Sequence, residues 1–303
     1  MGFFKEIYRN RSLYTLALPG LLFLVIFAYI PMFGHLIAFK KFNATIGFWN
    51  SPWIGFKNFE FFFSSGQWLE VTWNTIFLNS LFIIFGLGLA VVMAILLNEI
   101  RLAIVKRFAQ SIIFMPYFIS WMVVSLMVYA LLNTTDGMIN QMLKSLGMDA
   151  VGWYNNANFW PSILTIVYVW KMAGYYSIIF LASITGISSD YYESARIDGA
   201  TRFQQIRHIT LPLIRPTIIV LALLAVGRIF YGDFAMIYGI IGDNAALFST
   251  TDVIDTFSYR ALRQLGDFGM SSSVALYQSI MGVVAIILFN WIIRKVDKDS
   301  ALF

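Results

Sequence analysis

The stretch WNTIFLNSLFIIFGLGLAVVMAILL, residues 73–97, decides the fold class, because it runs from end to end without a charged side chain. A helix that is apolar on every side is buried in a large protein core or spans a membrane. A membrane crossing needs about 20 mostly apolar residues, which this stretch supplies. Residues 108–132 repeat the pattern and are also uncharged. Both stretches predict helices that lie in lipid.

The composition of the whole chain favours the membrane over a water-soluble fold. Of the 303 residues, 59% are hydrophobic and 12% are charged, whereas a soluble domain carries about 25% charged residues. The net charge of +5 matters through its distribution rather than its sum, so we expect no nucleic acid as a partner. The chain has no cysteine and two distant histidines, and we therefore expect no disulfide and no metal site.

Six stretches are long and apolar enough to span a membrane, and they predict an all-α integral membrane protein with six transmembrane helices. These stretches are residues 13–39, 73–97, 108–132, 159–187, 211–241 and 271–293. The first is too long for the core of a cleavable signal peptide, and no small-residue cleavage site follows it. We expect a single domain over residues 1–303.

Lysine and arginine residues in the flanks of these stretches predict the orientation. With the N-terminus in the cytoplasm, the inside segments carry 13 of them and the outside segments carry 6, which follows the positive-inside rule. Lys171 and Arg228 then remain within the membrane. An even number of spans places both termini in the cytoplasm.

The segment SSDYYESARIDGATRFQQIRHITLPL, residues 188–213, lies between the fourth and fifth predicted spans, on the cytoplasmic side. Asp190 with Glu193 matches a capping box, and Thr201 with Gln204 matches a second one. Two helix starts so close together predict two short helices with a break between them.

The break and the end of this segment also have local signals. Asp198-Gly199 supplies a turn, because glycine permits the backbone conformation that ends a helix. Thr210 and Pro212 are typical of the start of a third helix. The segment carries too many charges to enter the membrane and many apolar residues, so we expect it to dock on a cytoplasmic partner. A surface loop without a partner is the alternative.

This segment resembles the EAA motif of the permease subunits of binding-protein-dependent ABC importers. The usual motif is Glu-Ala-Ala, then a glycine four residues later, then an Ile-x-Leu-Pro close; here Ser194 replaces the middle alanine, and a small residue is kept. The resemblance implies that residues 188–213 form cytoplasmic coupling helices that insert into a cleft on an ATPase. The implied coupling residues are Glu193, Ser194, Ala195, Asp198, Gly199, Ala200, Leu211 and Pro212.

Four further stretches resemble the branch of this family that imports oligosaccharides and polysaccharide fragments. They are PMFG at 31–34, AFKKF at 38–42, TDVIDT at 251–256 and SALF at 300–303. The resemblance implies a permease of the bacterial plasma membrane that moves a carbohydrate and catalyses no reaction itself.

The resemblance also implies the partners of the chain. They are a second, homologous permease, two ATPase subunits, an extracytoplasmic solute-binding protein, the carbohydrate and membrane lipid. The second permease is expected to be a different chain, giving a heterodimer, with a homodimer as the alternative. The sequence has no glycine-rich phosphate-binding loop, so we expect ATP and Mg²⁺ to bind the partner ATPase and this chain to bind no cofactor.

Ionisable residues inside a span are costly and indicate function, so Lys171 is the first candidate for the substrate path. Tyr168, Lys171 and Tyr175 share one face of the fourth span, at i, i+3 and i+7. Two tyrosines around a lysine are suited to stack on a sugar ring and to donate hydrogen bonds. Alternatively, Lys171 pairs with a carbonyl or a carboxylate between helices, and the sequence leaves both readings open.

The other candidates for the substrate path are Tyr117 and Trp121 in the third span, and Arg228, Tyr231 and Asp233 in the fifth. On a continuous helix, Arg228 and Tyr231 share a face, whereas Arg228 and Asp233 do not. The charged pair is expected toward the external end of the span, where it lines a vestibule or reaches lipid headgroups. The aromatic residues are also ordinary anchors at the membrane interface.

Two other classes of protein compete with the importer subunit. A secondary transporter would favour inverted repeats and carboxylates within the membrane, and only Asp233 qualifies. A polytopic membrane enzyme acting on lipid or glycan would need a cluster of carboxylates or histidines at one membrane face. Replacing Glu193 or Gly199 is expected to uncouple ATP hydrolysis from uptake in an importer and to have no effect in the other two.

Overall fold

The computed structural model describes residue 6, residues 8–64 and residues 66–296, and these residues are almost entirely helical. Within them, the extended backbone pairs at one isolated bridge, between Lys40 and Trp53. Lys5, Lys298 and the 300–303 stretch lie outside the described residues.

Among the described residues, five helices are long and apolar enough to cross a membrane, and a bent pair supplies a sixth crossing if its two halves count together. The helices are α1 (Arg11–Phe39), α2 (Gly47–Asn50), α3 (Lys57–Ser64), α4 (Gln67–Glu99), α5 (Ala103–Phe118), α6 (Trp121–Leu132), α7 (Met138–Ser145), α8 (Ala157–Thr185), α9 (Ser189–Ile197), α10 (Arg202–Val226), α11 (Phe234–Ile241), α12 (Phe248–Thr251), α13 (Ile254–Arg263) and α14 (Phe268–Lys295). The long ones are α1, α4, α8, α10 and α14, and the bent pair is α5 with α6. The predicted all-α membrane fold is confirmed.

The third predicted span, residues 108–132, is broken. The helices α5 and α6 meet at a bend of 95°, and Ile119 between them is extended, with φ −73° and ψ 130°. Pro116, three residues before the break, has no backbone N–H to donate to the preceding turn of α5. The Ser120 side chain then accepts a hydrogen bond from the Val123 N–H at 3.4 Å and caps α6. The prediction of one continuous helix was wrong here.

The fifth predicted span, residues 211–241, is divided as well. Helix α10 ends at Val226, residues 227–233 form turns and irregular backbone, and α11 is a separate helix. Asp233 caps α11 by accepting a hydrogen bond from the Met236 N–H at 3.1 Å. A side chain that bonds to its own backbone in this way competes with a continuous helix, so the prediction of one helix to residue 241 was wrong.

The beginning of α10 also differs from the expectation. No new helix starts at Thr210, because α10 runs from Arg202 through a wider π-helical turn at Ile206–Thr210. Pro212 has no N–H to donate to the carbonyl four residues earlier, and its ring crowds that carbonyl. The wider turn gives the ring room while the helix continues.

The described residues divide into two compact units. The first holds the described residues of Met1–Gly66 with Ser258–Tyr277, and the second holds those of Gln67–Phe257 with Gln278–Phe303. In the first unit, Phe62 is fully buried and its ring lies 5.5 Å from the ring of Tyr277.

The core of the second unit is the pair of long helices α4 and α8. Leu78 and Phe82 of α4 and Trp160 and Leu164 of α8 are buried in one cluster. Gly174 of α8 lies directly against a backbone carbonyl of α5, where an alanine Cβ would collide with it. This close approach brings the break between α5 and α6 next to the middle of α8.

Candidate functional site

Lys171 lies near the middle of α8, and only 6% of its surface is exposed. Its ammonium donates hydrogen bonds to the carbonyl oxygens of Pro116 at 3.3 Å and Tyr117 at 2.8 Å, and to that of Ile119. It also lies over the rings of Tyr117 and Trp121, 5.7 and 5.0 Å from their centroids. Lys171 therefore pairs with carbonyls between helices, which is the alternative that the sequence left open, and these carbonyls lie at the break of the third span.

The tyrosines on either side of Lys171 stack on different neighbours. The ring of Tyr175 lies 4.6 Å from that of Tyr117, at an interplanar angle of 13°. The ring of Tyr168 lies 4.6 Å from that of Phe82, at 14°. The two tyrosines thus pack on different helices, Tyr175 on α5 beside the break and Tyr168 on α4.

Charged groups from the end of α10 reach the same place. The Asp233 carboxylate lies close enough to Arg228, Lys171 and the Trp121 side chain to interact with all three. Arg228 is exposed and also lies close enough to Tyr168 and Tyr176 to interact with both. The interruption after α10 therefore faces the break between α5 and α6 rather than lying apart from it.

We call the residues around the two breaks the polar cluster. They are Tyr117, Trp121, Tyr168, Lys171, Tyr175, Tyr176, Arg228 and Asp233. Seven of them were candidates from the sequence. Tyr231 was also a candidate, and it points elsewhere, because its hydroxyl donates to Ser279 of α14 at 3.2 Å.

Sequence reasoning missed the residues that hold the interruption after α10. The Asn79 side chain donates to the carbonyls of Ile229 at 2.9 Å and Tyr231 at 3.1 Å. The Gln278 side chain donates to the Phe230 carbonyl at 2.7 Å and to Asp255 at 2.8 Å. Polar amides inside otherwise apolar stretches were the signal that would have found Asn79 and Gln278.

Asp255 completes this support from the segment before the last span. Its carboxylate accepts the Gly232 N–H at 2.6 Å. Burial raises the pKa of the Asp255 carboxyl, and the hydrogen bonds from Gly232 and Gln278 oppose that rise. Each bond satisfies a backbone or side-chain group that lies among apolar helices, so the irregular backbone is stable there.

The geometry of the two breaks restricts what this region does. Irregular backbone at membrane depth is tolerated only where it is buried in protein or lines a water-filled cavity. The polar cluster adds phenol, indole, guanidinium and carboxylate groups to that backbone. Aromatic faces stack on apolar faces of sugar rings, and the polar groups match their hydroxyls, so the site is suited to a carbohydrate.

A second region, residues 188–213, begins with α9. The Ser188 side chain accepts a hydrogen bond from the Asp190 N–H at 3.3 Å, so Ser188 is the N-cap. The predicted capping box of Asp190 with Glu193 was wrong, because the helix begins one residue before Asp190. The second predicted box is confirmed: the Thr201 N–H donates to the Gln204 side chain at 2.7 Å, and the Gln204 N–H donates to the Thr201 hydroxyl at 3.3 Å.

The turn between α9 and α10 depends on Gly199, whose φ is +79°. The Ala200 N–H donates to the Ala195 carbonyl at 2.8 Å, and the Gly199 N–H donates to the Arg196 carbonyl at 3.0 Å. This pair of bonds is the Schellman motif, which requires a left-handed residue at its centre. The predicted break at Asp198-Gly199 is confirmed.

Apolar side chains project from this turn region. Tyr191, Ile197 and Phe203 are 59%, 87% and 68% exposed. The implied coupling residues Glu193, Ser194, Asp198, Gly199 and Pro212 are exposed, and Ala195, Ala200 and Leu211 are half-buried. Large apolar side chains next to exposed charges are typical of a protein-binding surface.

Two contacts fix the loop to the membrane helices. The Arg202 guanidinium lies 3.8 Å from the Glu99 carboxylate at the end of α4. The hydroxyls of Tyr192 and Thr210 lie 3.0 Å apart, which joins α9 to α10. Because Arg202 lies on α10, α9 is linked directly to α10 and through it to α4.

Comparisons with known proteins agree with this geometry. Residues 83–298 match the family model described as binding-protein-dependent transport system inner membrane component. The chain is 36% identical over 292 residues to Protein LplB of Bacillus subtilis, covering 96% of this chain and 91% of LplB. It is 31% identical over 295 residues to the polygalacturonan/rhamnogalacturonan transport system permease protein YteP of the same species, covering 97% and 91%.

A solved structure has the same fold over nearly the whole chain. It is that of a bacterial alginate ABC transporter in complex with an alginate pentasaccharide-bound periplasmic protein, and its matching chain is 32% identical, with a TM-score of 0.88. The match covers 98% of this chain and 98% of the other.

Proposed function

Since the chain belongs to the family of binding-protein-dependent transport system inner membrane components and is a permease subunit of an ABC importer for carbohydrates, we propose that it passes oligosaccharides through the polar cluster. The observation that carries this proposal is the meeting of two helix breaks around Lys171, Trp121 and Asp233. A secondary transporter or a membrane enzyme is not favoured, because the family and its relatives are transport permeases.

The substrate class we propose is an acidic oligosaccharide. Alginate, carried by the related solved importer, is an acidic polysaccharide, and polygalacturonan is a polymer of a sugar acid. Arg228 is an exposed cation in the polar cluster, and guanidinium groups bind carboxylates through paired hydrogen bonds. Lys171 is less suited to this role, since its ammonium already contacts three carbonyls.

We propose that residues 188–213 are the coupling helices. The side chains of Tyr191, Ile197 and Phe203 are exposed, as is Glu193, and this combination of apolar and acidic groups supports docking in a cleft of an ATPase. ATP and Mg²⁺ then bind two partner ATPase subunits. The chain itself is a non-catalytic translocation subunit without a cofactor.

The remaining partners follow from the same proposal. A second, homologous permease completes the path as a heterodimer, and an extracytoplasmic solute-binding protein delivers the oligosaccharide. The related alginate transporter forms a complex with a periplasmic protein, which supports the latter. The family is one of inner membrane components, and we place both termini of the chain in the cytoplasm.

Uptake into proteoliposomes tests the function. The chain is expressed with its genomic neighbours, the complex is purified by a tag on this chain, and uptake of trigalacturonate is compared with that of maltotriose. We expect ATP-dependent uptake of the acidic trisaccharide. Recovery of the chain without an ATPase, or uptake that does not depend on ATP, would contradict the importer assignment.

A matched pair of variants tests the role of Arg228. Arg228→Gln removes a charge-assisted hydrogen bond, worth about 1.5–3 kcal/mol, so uptake of trigalacturonate should fall roughly 10- to 150-fold. Arg263→Gln removes an exposed arginine outside the polar cluster and should leave uptake unchanged. Equal effects of the two substitutions would exclude Arg228 as the carboxylate-binding residue.

A further inference from the structure

The break between α5 and α6 leaves backbone carbonyls without partners inside their own helix. A helix that ends leaves its last carbonyls without intrahelical donors, and an unsatisfied carbonyl in an apolar environment costs several kcal/mol. The Pro116 carbonyl accepts the Ile119 N–H at 3.2 Å. The Tyr117 and Ile119 carbonyls lie at the point where the backbone turns through 95°.

Lys171 supplies donors at this point from another helix. An ammonium group has three N–H donors and no acceptor, and that of Lys171 contacts three carbonyls, those of Pro116, Tyr117 and Ile119. Its donors are thus fully used by the backbone. The positive charge also faces the C-terminal end of α5, where the helix dipole is negative.

We propose that Lys171 is a tethered cation that holds the third span in its bent form. It occupies a cage of carbonyl oxygens and aromatic rings as a bound metal ion or ammonium ion would. Lys171 is therefore a positioning residue: it affects transport by orienting Tyr117 and Trp121.

The aromatic contacts show what the cation positions. The ammonium lies over Tyr117, before the break, and Trp121, after it, at 5.7 and 5.0 Å. Tyr117 in turn stacks on Tyr175 of α8 at 4.6 Å. One charge thus fixes the orientation of rings on both halves of the span, so its loss should misplace both rings together.

Spin labels measure the bend directly. The chain has no cysteine, so Phe108→Cys and Leu126→Cys, at exposed positions on α5 and α6, give one label on each half. About 10 and 8 residues separate these positions from the break, so at about 1.5 Å per residue the helix axes are ~18 Å apart at the observed bend of 95° and ~27 Å apart in a straight helix.

The double-labelled chain is then compared with and without Lys171. We expect Lys171→Met, which keeps the length but removes the charge, to lengthen the label distance by up to ~9 Å or to broaden its distribution over that range. Lys171→Arg keeps the charge and donors and should preserve the short distance. Lys144→Met, at an exposed lysine, is the control and should change nothing.

Rescue by added amines separates the cation from the side chain. In Lys171→Ala, ethylammonium chloride should restore the short distance, since it supplies both charge and N–H donors. Tetramethylammonium chloride carries the same charge without a donor and should not restore it. The wild-type distance in Lys171→Met, or equal rescue by both salts, would overturn the proposal.

The distance measurement does not depend on the proposed substrate or on the ATPase. If Lys171→Met does not fold, the distances in Lys171→Ala with and without ethylammonium decide the matter, and a chain that ethylammonium fails to restore counts against the tethered cation. Loss of trigalacturonate uptake with an unchanged bend would instead assign Lys171 to direct substrate contact.

Discussion

We expect Gly199→Ala to weaken the coupling of ATP hydrolysis to uptake while leaving the membrane helices intact. Gly199 adopts φ +79° at the end of α9, and no atom lies within 4 Å of the position of an added Cβ. The substitution therefore acts through the backbone alone, at about 1–2 kcal/mol for a residue other than glycine in the left-handed region. That free energy corresponds to a roughly 5- to 30-fold shift away from the observed turn.

The assay is the ratio of trigalacturonate imported to ATP hydrolysed in the assembled complex, together with the affinity of the ATPase for the permease. Gly199→Asn should fall between the wild type and Gly199→Ala, because asparagine tolerates the left-handed region. Gly186→Ala is the matched control. Gly186 has φ −79°, and an added Cβ would lie 3.5 Å from its nearest neighbour, an ordinary contact.

Two results would refute this reasoning. If Gly199→Ala couples like the wild type, the turn is not needed for docking. If Gly186→Ala has the same effect as Gly199→Ala, the loss comes from a general effect of added methyl groups and not from the left-handed turn.

Three further substitutions test contacts that stabilise the fold. Gly174→Ala pushes a methyl group against a carbonyl of α5 and should lower stability by about 1–3 kcal/mol. Its melting temperature in detergent should be lower than that of Gly88→Ala, where no atom lies within 4 Å of the added Cβ, and equal melting temperatures would contradict the close approach. Thr201→Ala removes the capping box and should cost about 1 kcal/mol, measured as faster amide hydrogen exchange in the first turn of α10, which Thr201→Ser should not show. Asn79→Leu removes the donor to two carbonyls beyond α10 and should cost about 1–3 kcal/mol and lower uptake, whereas Ser80→Ala, which removes a hydroxyl that bonds within its own helix, should do neither.

The signals that could be read from the sequence are those that depend on residues close together in the chain. The hydropathy of about 20 consecutive residues predicts a membrane helix without reference to the rest of the fold. Helices α4, α8 and α14 lie where it predicts them. The capping box of Thr201 with Gln204 spans three residues. The end of α9 depends on the positive φ of a single residue, Gly199, and glycine is recognisable in the sequence.

The breaks in the third and fifth spans were missed because their stability comes from distant residues. Pro116 was visible in the sequence, but proline is tolerated in membrane helices when neighbours satisfy the freed groups, so it does not by itself predict a bend. The amide of Asn79 reaches a carbonyl 150 residues away in sequence. No local pattern contains that contact.

The sequence by itself determined that this chain is an all-α membrane protein with a helix–turn–helix segment between its fourth and fifth spans, because transfer to lipid and helix capping are local free energies. Only the tertiary structure decided where the spans break and what Lys171 binds, since three carbonyls more than 50 residues away accept its donors. A buried charge takes the partners that the packed helices bring to it, and packing places Lys171 against the backbone of α5.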